Sequence, residues 1–124
     1  FHAREVADLQ SCAEEQRADR FYDYWTLKEA GIKARGETLG AGIGRRGFEL
    51  SGRATGAGSR IAVNPPDPVS AASYYLFDID PGYRLALCWI PHSPRIPRLR
   101  FLEFPGGDDV VEFEVLPRAA SRSA

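Results

Sequence analysis

The sequence predicts an α+β domain in which one main N-terminal helix packs on a twisted antiparallel sheet of about five strands. A helical pattern of apolar residues occurs before residue 31, and segments with the composition of strands follow it. The clearest of these segments is a hairpin. Residues 74–79 and 84–90 are rich in aromatic and aliphatic side chains, and Asp80, Pro81 and Gly82 between them form a typical turn sequence.

Length and composition fit one domain without a membrane span. The 124 residues include 44% hydrophobic and 27% charged residues, as in an ordinary globular protein. No apolar run approaches the ~20 residues of a membrane helix. The net charge of −1 gives no reason to expect a nucleic acid or an acidic membrane as partner, so any basic patch is local. We predict a single globular domain over residues 1–118 and a flexible tail over residues 119–124.

The start of the sequence and its two cysteines indicate a secreted protein. The chain begins at Phe1, contains no methionine and has no charged and apolar leader, as expected once a signal peptide has been removed. Cys12 and Cys88 could form a disulfide, which would stabilise the fold by about 4–5 kcal/mol in the chain-entropy model. Two buried free thiols are the alternative. We favour the bridge, because it ties the N-terminal segment to the central strand.

The main helix is expected from Ser11 to about residue 30. Residues 11–14 have the spacing of a capping box, and Gly31 suits the left-handed residue after a helix. A second capping-box pattern at residues 26–29 leaves a break near Trp25 open, and residues 1–10 fit either a strand or a helical lead-in. One helical face is interpreted as core because it carries apolar residues at the required spacing: Ala18, Phe21, Tyr22 and Trp25.

The glycine-rich segment 31–58 is interpreted as loops and hairpin turns. It contains the pattern G-x-G-x-x-G between Gly42 and Gly47, which in a nucleotide site follows a strand and opens a helix. Here residues 48–50 are strand-like, so a nucleotide site is not predicted. Residues 59–63 predict a short strand, and the prolines of residues 64–68 predict a rigid link to the central hairpin.

A second hairpin is predicted after the central one. Pro94 and Pro97 interrupt regular structure, residues 99–104 predict a strand and residues 105–109 a turn. Val111, Phe113 and Val115 then alternate with glutamates, as on a half-buried strand.

Few residues have the spacing of a known catalytic or metal-binding motif. The cysteines and histidines lack the spacing of metal ligands, so we expect no metal and no cofactor. The sequence contains no nucleophile-elbow motif. His92 remains, which follows the central hairpin at the rim of the sheet, together with arginines and a carboxylate on neighbouring strands. Such a set is what metal-free phosphodiester transfer requires.

Segments in the same order resemble the small secreted fungal guanyl-specific ribonucleases: residues 29–31, 36–40, 47–49, 74–77 and 85–90, and His92. The resemblance covers about residues 22–104. In that family successive strands supply a glutamate base, a phosphate-binding arginine and a histidine acid, and His92 matches the histidine. The glutamate position falls near Gly58 and the arginine position near Tyr74, while residues 40–47 hold no counterpart of the family's second histidine. The candidate replacements are Glu49, Arg53 and Arg60.

Losing the base and the phosphate-binding cation should leave little catalysis. The resemblance therefore favours the ribonuclease-like secreted effectors of plant-pathogenic fungi, pseudoenzymes that are similar in having a cysteine pair and a strand with two tyrosines, as at Tyr74 and Tyr75. It implies a virulence effector that binds a host protein or RNA. An active metal-free ribonuclease or ribotoxin is the alternative, and a structural or recognition domain of unrelated fold is a third possibility.

The candidate site residues combine the histidine position with local arginines that could hold RNA. His92 and Glu49 are the candidates for catalysis, and the candidates for binding are Arg45, Arg46, Tyr74, Arg95 and Arg98. The opposing interpretation is purely structural: His92 caps the end of a strand, and the tyrosine pair alternates between core and surface.

Overall fold

The computed structural model describes residues 1–51, 59–66, 72–80, 82–92, 98–106 and 109–121. These residues form three helices: α1, Ala3–Ser11; α2, Glu14–Ala34; and α3, Leu39–Gly42. They also form seven strands: β1, Gly47–Ser51; β2, Ser59–Asn64; β3, Ser73–Asp80; β4, Tyr83–Trp89; β5, Phe101–Gly106; β6, Asp109–Phe113; and β7, Ala119–Ala120. Within the same ranges no helix is long and apolar enough to cross a lipid bilayer.

Five strands form one sheet in the order β1-β2-β7-β3-β4, and β5 and β6 form a separate hairpin. The pairs β1–β2, β3–β4 and β3–β7 are antiparallel, whereas β2 and β7 are parallel. α2 lies against β4 and β3. The predicted α+β class, with a helix on a sheet of about five strands, is confirmed. The sheet is mixed because β7 enters it parallel to β2.

The short strand β7 lies inside the sheet, where the sequence predicted a tail. The backbone N–H of Arg118 donates to the carbonyl of Leu76, and that of Ser121 donates to the carbonyl of Tyr74, each at 2.8 Å. The Ser121 hydroxyl accepts a hydrogen bond from the Tyr74 N–H at 2.7 Å. Backbone pairing therefore extends the fold to Ser121, although Ala119–Ala120 has no side-chain pattern that predicts a strand.

Residues 1–10, which the sequence left open between strand and helix, contain most of α1. Its N-cap is His2, whose Nδ1 accepts a hydrogen bond from the Arg4 N–H at 3.5 Å and whose own N–H donates to Glu5 Oε2 at 2.7 Å. This is a capping box with histidine in place of the usual hydroxyl residue. α1 ends at Ser11 and α2 has Ala13 as its N-cap, so the predicted capping sequence lies at the junction of two helices.

α2 is continuous through Trp25 and passes its predicted end. Gly31 is buried, and a Cβ atom there would lie 2.8 Å from the hydroxyl of Tyr74. Gly31 therefore permits the close approach of α2 to β3 instead of ending the helix. The last helical residue is Ala34, and the left-handed residue after it is Gly36, with φ of 64°.

The predicted core face of α2 is wrong. Phe21 and Tyr22 are 36% and 54% exposed, and Phe21 stacks on Trp25 at a ring-centroid distance of 6.3 Å. The inner face carries two charged residues, which interrupt its apolar pattern in the sequence. The buried residues of α2 are Asp23, Tyr24, Leu27, Lys28, Gly31 and Ile32.

The predicted central hairpin is confirmed as β3 and β4, with Gly82 at a φ of 89° in its turn; Pro81 lies outside the described residues. β3 separates two apolar layers. Tyr74 and Leu76 belong to the core that α2 covers, together with Tyr24, Leu27, Phe48, Ile61 and Ala119. Phe77 lies on the opposite face, where its ring packs edge-on against that of Phe101 at a centroid distance of 5.1 Å.

Candidate functional site

A buried carboxylate joins α1, α2 and β1. The side chain of Glu5 is fully buried. Its Oε2 accepts a hydrogen bond from the N–H of His2 at 2.7 Å and forms an ion pair with the ammonium of Lys28 at 2.9 Å. Its Oε1 accepts from the N–H of Phe48 at 2.8 Å. Both carboxylate oxygens therefore have donors, as a buried charge requires.

Lys28 completes this ion pair from α2. Besides Glu5, its Nζ donates to the backbone carbonyls of Ile43 and Arg46, each at 2.8 Å. The carboxylate of Glu5 and these two carbonyls surround the ammonium, and the Lys28 side chain is only 2% exposed. The pair of Glu5 and Lys28 is thus structural, and it fixes the rotation of α2 about its own axis relative to β1.

The next residue, Glu29, is partly exposed and pairs with Lys33 one turn further along α2. The Nζ of Lys33 lies 3.0 Å from Glu29 Oε2, and the two side chains are 76% and 36% exposed, respectively. Because buried neighbours such as Lys28 fix the helix, these two exposed groups sit on a rigid support. A carboxylate can accept a proton and an ammonium can neutralise a phosphate oxygen. This pair is the candidate functional site.

The structure does not bring the predicted catalytic residues together. Glu49 lies on β1 and His92 follows β4, which are opposite edges of the five-stranded sheet. Four strand spacings separate these edges, or about 19 Å. Glu49 pairs with Arg4 instead, and the hydrogen bond from Arg4 is the main cause that lowers the pKa of the Glu49 carboxyl. His92 is exposed beyond Pro91.

The predicted binding arginines 45 and 46 share an internal partner. Arg45 lies 3.3 Å from one carboxylate oxygen of Glu37, and Arg46 donates to both of its oxygens at 3.0 and 3.2 Å. The hydrogen bond from Arg46 is the largest of the effects that lower the pKa of Glu37. Arg98 lies apart from these residues, exposed ahead of β5, and Arg95 lies outside the described residues.

Tyr74, also predicted to bind a partner, occupies a core position. Its side chain is 1% exposed, and its hydroxyl accepts a hydrogen bond from Arg35 at 2.9 Å. Burial, followed by the nearby Cys88 thiol, raises the pKa of Tyr74 to about 12. Tyr74 therefore fits the purely structural interpretation, in which the tyrosine pair of β3 alternates between core and surface.

The predicted disulfide is absent, because Cys12 and Cys88 are both free thiols in the structure. Cys12 lies at the junction of α1 and α2, where its backbone N–H donates to the carbonyl of Asp8. Cys88 lies on β4, and its Sγ accepts a hydrogen bond from Arg35 at 3.8 Å. The two thiols thus have separate environments.

A second charged cluster holds the C-terminal segment. Asp23, which is buried on α2, accepts hydrogen bonds from Arg84 of β4 and from Arg118 ahead of β7. Arg84 also pairs with Asp19 at 3.0 Å, and Arg118 pairs with Asp78 at 3.1 Å. These contacts join α2, β3, β4 and the segment before β7, so the cluster serves the fold.

Phosphoryl-transfer enzymes often hold a divalent cation with several carboxylates. The part of the chain that the structure describes contains no group of three or more His, Cys, Asp and Glu residues that could hold a metal ion. Glu29 could supply one oxygen ligand, which does not make a site. The described residues of this chain therefore do not make up a complete metal centre by themselves.

Sequence reasoning missed the buried charges that orient this site. The pattern that could have revealed them is the spacing of Tyr24, Leu27, Gly31 and Ile32, which places Lys28 within an apolar stripe. A lysine at such a position requires a buried carboxylate, because an unpaired buried charge is too costly. The sequence does not reveal that Glu5 is that carboxylate, since the two residues meet only through the packing of α1.

The family described as the 4'-phosphopantetheinyl transferase superfamily matches residues 1–88. The 4'-phosphopantetheinyl transferase Sfp of Bacillus subtilis (strain 168) is 28% identical over 88 residues, which are 71% of this chain and 37% of that protein. The transferase ffp of Bacillus subtilis is 30% identical over 88 residues, which are again 71% of this chain and 37% of that protein. The transferase psf-1 of Bacillus pumilus is 31% identical over 90 residues, 71% of this chain and 36% of its own length. No solved structure gives a significant match.

These matches correct the functional predictions. The segments that resembled guanyl-specific ribonucleases lie mostly within the 88 residues matched by the transferase family, so the ribonuclease-like identification is wrong. The effector, pseudoenzyme and ribotoxin interpretations are wrong with it, as is a host protein or RNA as partner. Secretion stays a prediction. The chain spans little more than a third of the length of the curated relatives that it matches. It belongs to the 4'-phosphopantetheinyl transferase superfamily.

Proposed function

We propose that this chain is one part of an enzyme that transfers a 4'-phosphopantetheinyl group from a donor to a protein acceptor. The family match over residues 1–88 and the activity named for the relatives support the proposal. The matched region is 37% or less of the length of these relatives, so the complete activity is proposed for a longer protein. The acceptor that we propose is an acyl or peptidyl carrier protein.

The transferred group is attached through a phosphate ester, so the reaction is a phosphoryl transfer. The acceptor hydroxyl oxygen forms a bond to phosphorus while the bond from phosphorus to the donor's leaving oxygen breaks. The leaving oxygen keeps the electron pair, and the proton of the acceptor hydroxyl passes to a base. A cation beside the phosphoryl oxygens lowers the barrier by stabilising their charge in the transition state.

Lys33 and Glu29 fit these two needs, and their placement is the observation that carries the proposal. Lys33 gives one hydrogen bond to Glu29 and is 76% exposed, which leaves donors for phosphoryl oxygens. Glu29 has a carboxylate that can accept the hydroxyl proton. Both residues lie in the matched region, on a helix that the buried pair of Glu5 and Lys28 holds in place.

The activity test uses the longer protein that contains this chain, coenzyme A as a compound that contains 4'-phosphopantetheine, and an acyl carrier protein. Transfer is measured as a gain of one phosphopantetheinyl group in the intact mass of the carrier protein. Glu29→Gln and Lys33→Ala should each lower the rate by about 100-fold or more, since each removes a group acting in the transition state. Glu15→Gln is the matched control, because Glu15 is exposed in the first turn of the same helix. Equal rates for the Glu15 and Glu29 variants would contradict the proposed roles.

Donor binding is measured alongside, because the chain spans only part of its relatives. Titration calorimetry with coenzyme A should show binding to the chain that Lys33→Ala weakens by about 10-fold, the worth of one charge-assisted hydrogen bond. Glu15→Gln should leave the affinity unchanged. Equal affinities of the unchanged chain and the Lys33→Ala variant for coenzyme A would show that the phosphate site does not include Lys33.

A further inference from the structure

A cavity of about 780 Å³ lies between the outer face of β3 and the hairpin of β5 and β6. Its volume is within the range of about 300–1,000 Å³ that small-molecule sites occupy. Most of the residues that line it follow residue 88, so they lie beyond the region matched by the transferase family. The cavity is also on the opposite side of the sheet from α2, which carries Glu29 and Lys33.

Aromatic rings line one side of this cavity. Tyr75 and Phe77 of β3 stack at a centroid distance of 6.3 Å, and Phe77 meets Phe101 edge-on at 5.1 Å. Phe113 of β6 lies 5.9 Å from Phe101. Leu99, Val115 and Leu116 add aliphatic surface. An apolar molecule would gain about 25 cal/mol for each Å² of apolar surface that it removes from water here.

The charged residues around the cavity leave more hydrogen-bond donors than acceptors unused. Arg100 and Glu112 form a two-point pair, Nε and one terminal nitrogen each lying 2.9 Å from a carboxylate oxygen. This pair occupies both oxygens of Glu112 but only two of the five N–H groups of a guanidinium. Within the described ranges, Arg98 and Glu114 make no hydrogen bond or ion pair. Arg98 therefore offers a complete guanidinium, and Arg100 offers its remaining N–H groups.

We infer that this cavity binds an apolar molecule that ends in a carboxylate, such as a medium-chain fatty acid. The aromatic rings surround the apolar body, and Arg98 binds the carboxylate through two parallel N–H bonds of the kind that guanidinium groups form with carboxylates. The remaining N–H groups of Arg100 support the same anion. Glu114 opposes the anion by like-charge repulsion. This binding function is separate from phosphopantetheinyl transfer.

The test compares three probes with the same ten-carbon chain: decanoate, decanol and decylamine. Titration calorimetry on the full chain should show saturable one-to-one binding of decanoate. Decanoate should bind about 10-fold or more tightly than decanol, because the charge-assisted bond to Arg98 is absent for the alcohol. Decylamine should bind more weakly than both, since its charge repels that of Arg98.

Single substitutions locate the site. Arg98→Ala should weaken decanoate binding by about 10-fold or more and leave decanol binding nearly unchanged. Glu114→Gln should bind decanoate at least as tightly as the unchanged chain. Arg45→Ala is the control, because Arg45 is an exposed arginine paired with Glu37 outside the cavity. Arg98 and Glu114 are exposed, so these variants keep the fold.

Three results would overturn the inference: no saturable binding of decanoate, binding of decylamine as tight as that of decanoate, or equal losses in the Arg98→Ala and Arg45→Ala variants. None of these results changes the transfer assay, because the cavity includes neither Glu29 nor Lys33.

Discussion

Replacing Lys28 by methionine tests whether the buried ion pair holds the three elements together. The change keeps most of the side-chain volume and removes the ammonium. Glu5 then stays buried with two backbone donors and no opposite charge, and the carbonyls of Ile43 and Arg46 lose their shared donor. Breaking a buried pair from one side costs about 3–5 kcal/mol. Lys28→Met should therefore lower the free energy of unfolding by about that amount.

The assay is urea unfolding followed by far-ultraviolet circular dichroism. Lys33→Met is the matched control on the same helix; its exposed pair with Glu29 is worth about 0.5 kcal/mol or less. Adding Glu5→Gln to Lys28→Met should restore about 1–3 kcal/mol, because the glutamine removes the unpaired charge and keeps an oxygen for the Phe48 N–H. The reasoning fails if Lys28→Met and Lys33→Met destabilise the protein equally, or if Glu5→Gln makes Lys28→Met worse.

Three further substitutions test other contacts. Gly31→Ala should lower the free energy of unfolding by about 1–3 kcal/mol in the same urea assay, because the new Cβ would lie 2.8 Å from the Tyr74 hydroxyl. Gly40→Ala is the control, because the space around Gly40 is open, and it should lower the free energy of unfolding by less than about 0.5 kcal/mol. Arg118→Ala leaves the buried Asp23 with fewer donors and should cost about 1–3 kcal/mol, and an unchanged unfolding midpoint would show that the segment before β7 is held otherwise. Burial raises the pKa of Tyr74 from 10.0 to about 12, so its contribution to stability is complete below pH 10 and is lost as the pH rises towards about 12. When the free energy of unfolding is measured across that pH range, the Tyr74→Phe variant should lose less stability than the unchanged protein as the pH rises. Equal slopes for the two proteins would contradict the assignment of this loss to Tyr74.

The elements that could be predicted from the sequence are those whose own residue pattern indicates a strand, independently of contacts with the rest of the chain. β3 and β4 carry their own pattern and a glycine with positive φ, so their hairpin was predictable to within two residues. The inner face of α2 was not, because Asp23 and Lys28 take positions that an apolar residue usually holds. β7 was not predictable either, since the pairing of Ala119–Ala120 depends on tertiary contacts alone.

The functional site was harder to predict than the fold. The interpretation built on His92 relied on the order of strands, which many folds share, and the structure places His92 and Glu49 at opposite edges of the sheet. The likeness to the transferases covers 88–90 residues at 28–31% identity, and it was not recognised from the sequence. Glu29 and Lys33 appear in the sequence as an ordinary helical ion pair, and only the buried neighbours show how firmly they are held.

The position of β7 sets an order of events during protein synthesis. Among the described residues, β1 and β2 form one part of the sheet and β3 and β4 form another, and β7 is the strand that lies between them. A ribosome makes these two strand pairs first, and no backbone pairing joins them into one sheet until the chain has been made through Ser121, whose backbone and hydroxyl bond to β3. A nascent chain that stops after residue 88 contains the whole region shared with the transferases, yet it cannot close its sheet. The sheet therefore closes only once the segment through Ser121 has left the exit tunnel, and until then the facing edges of β2 and β3 are open to pairing with other chains.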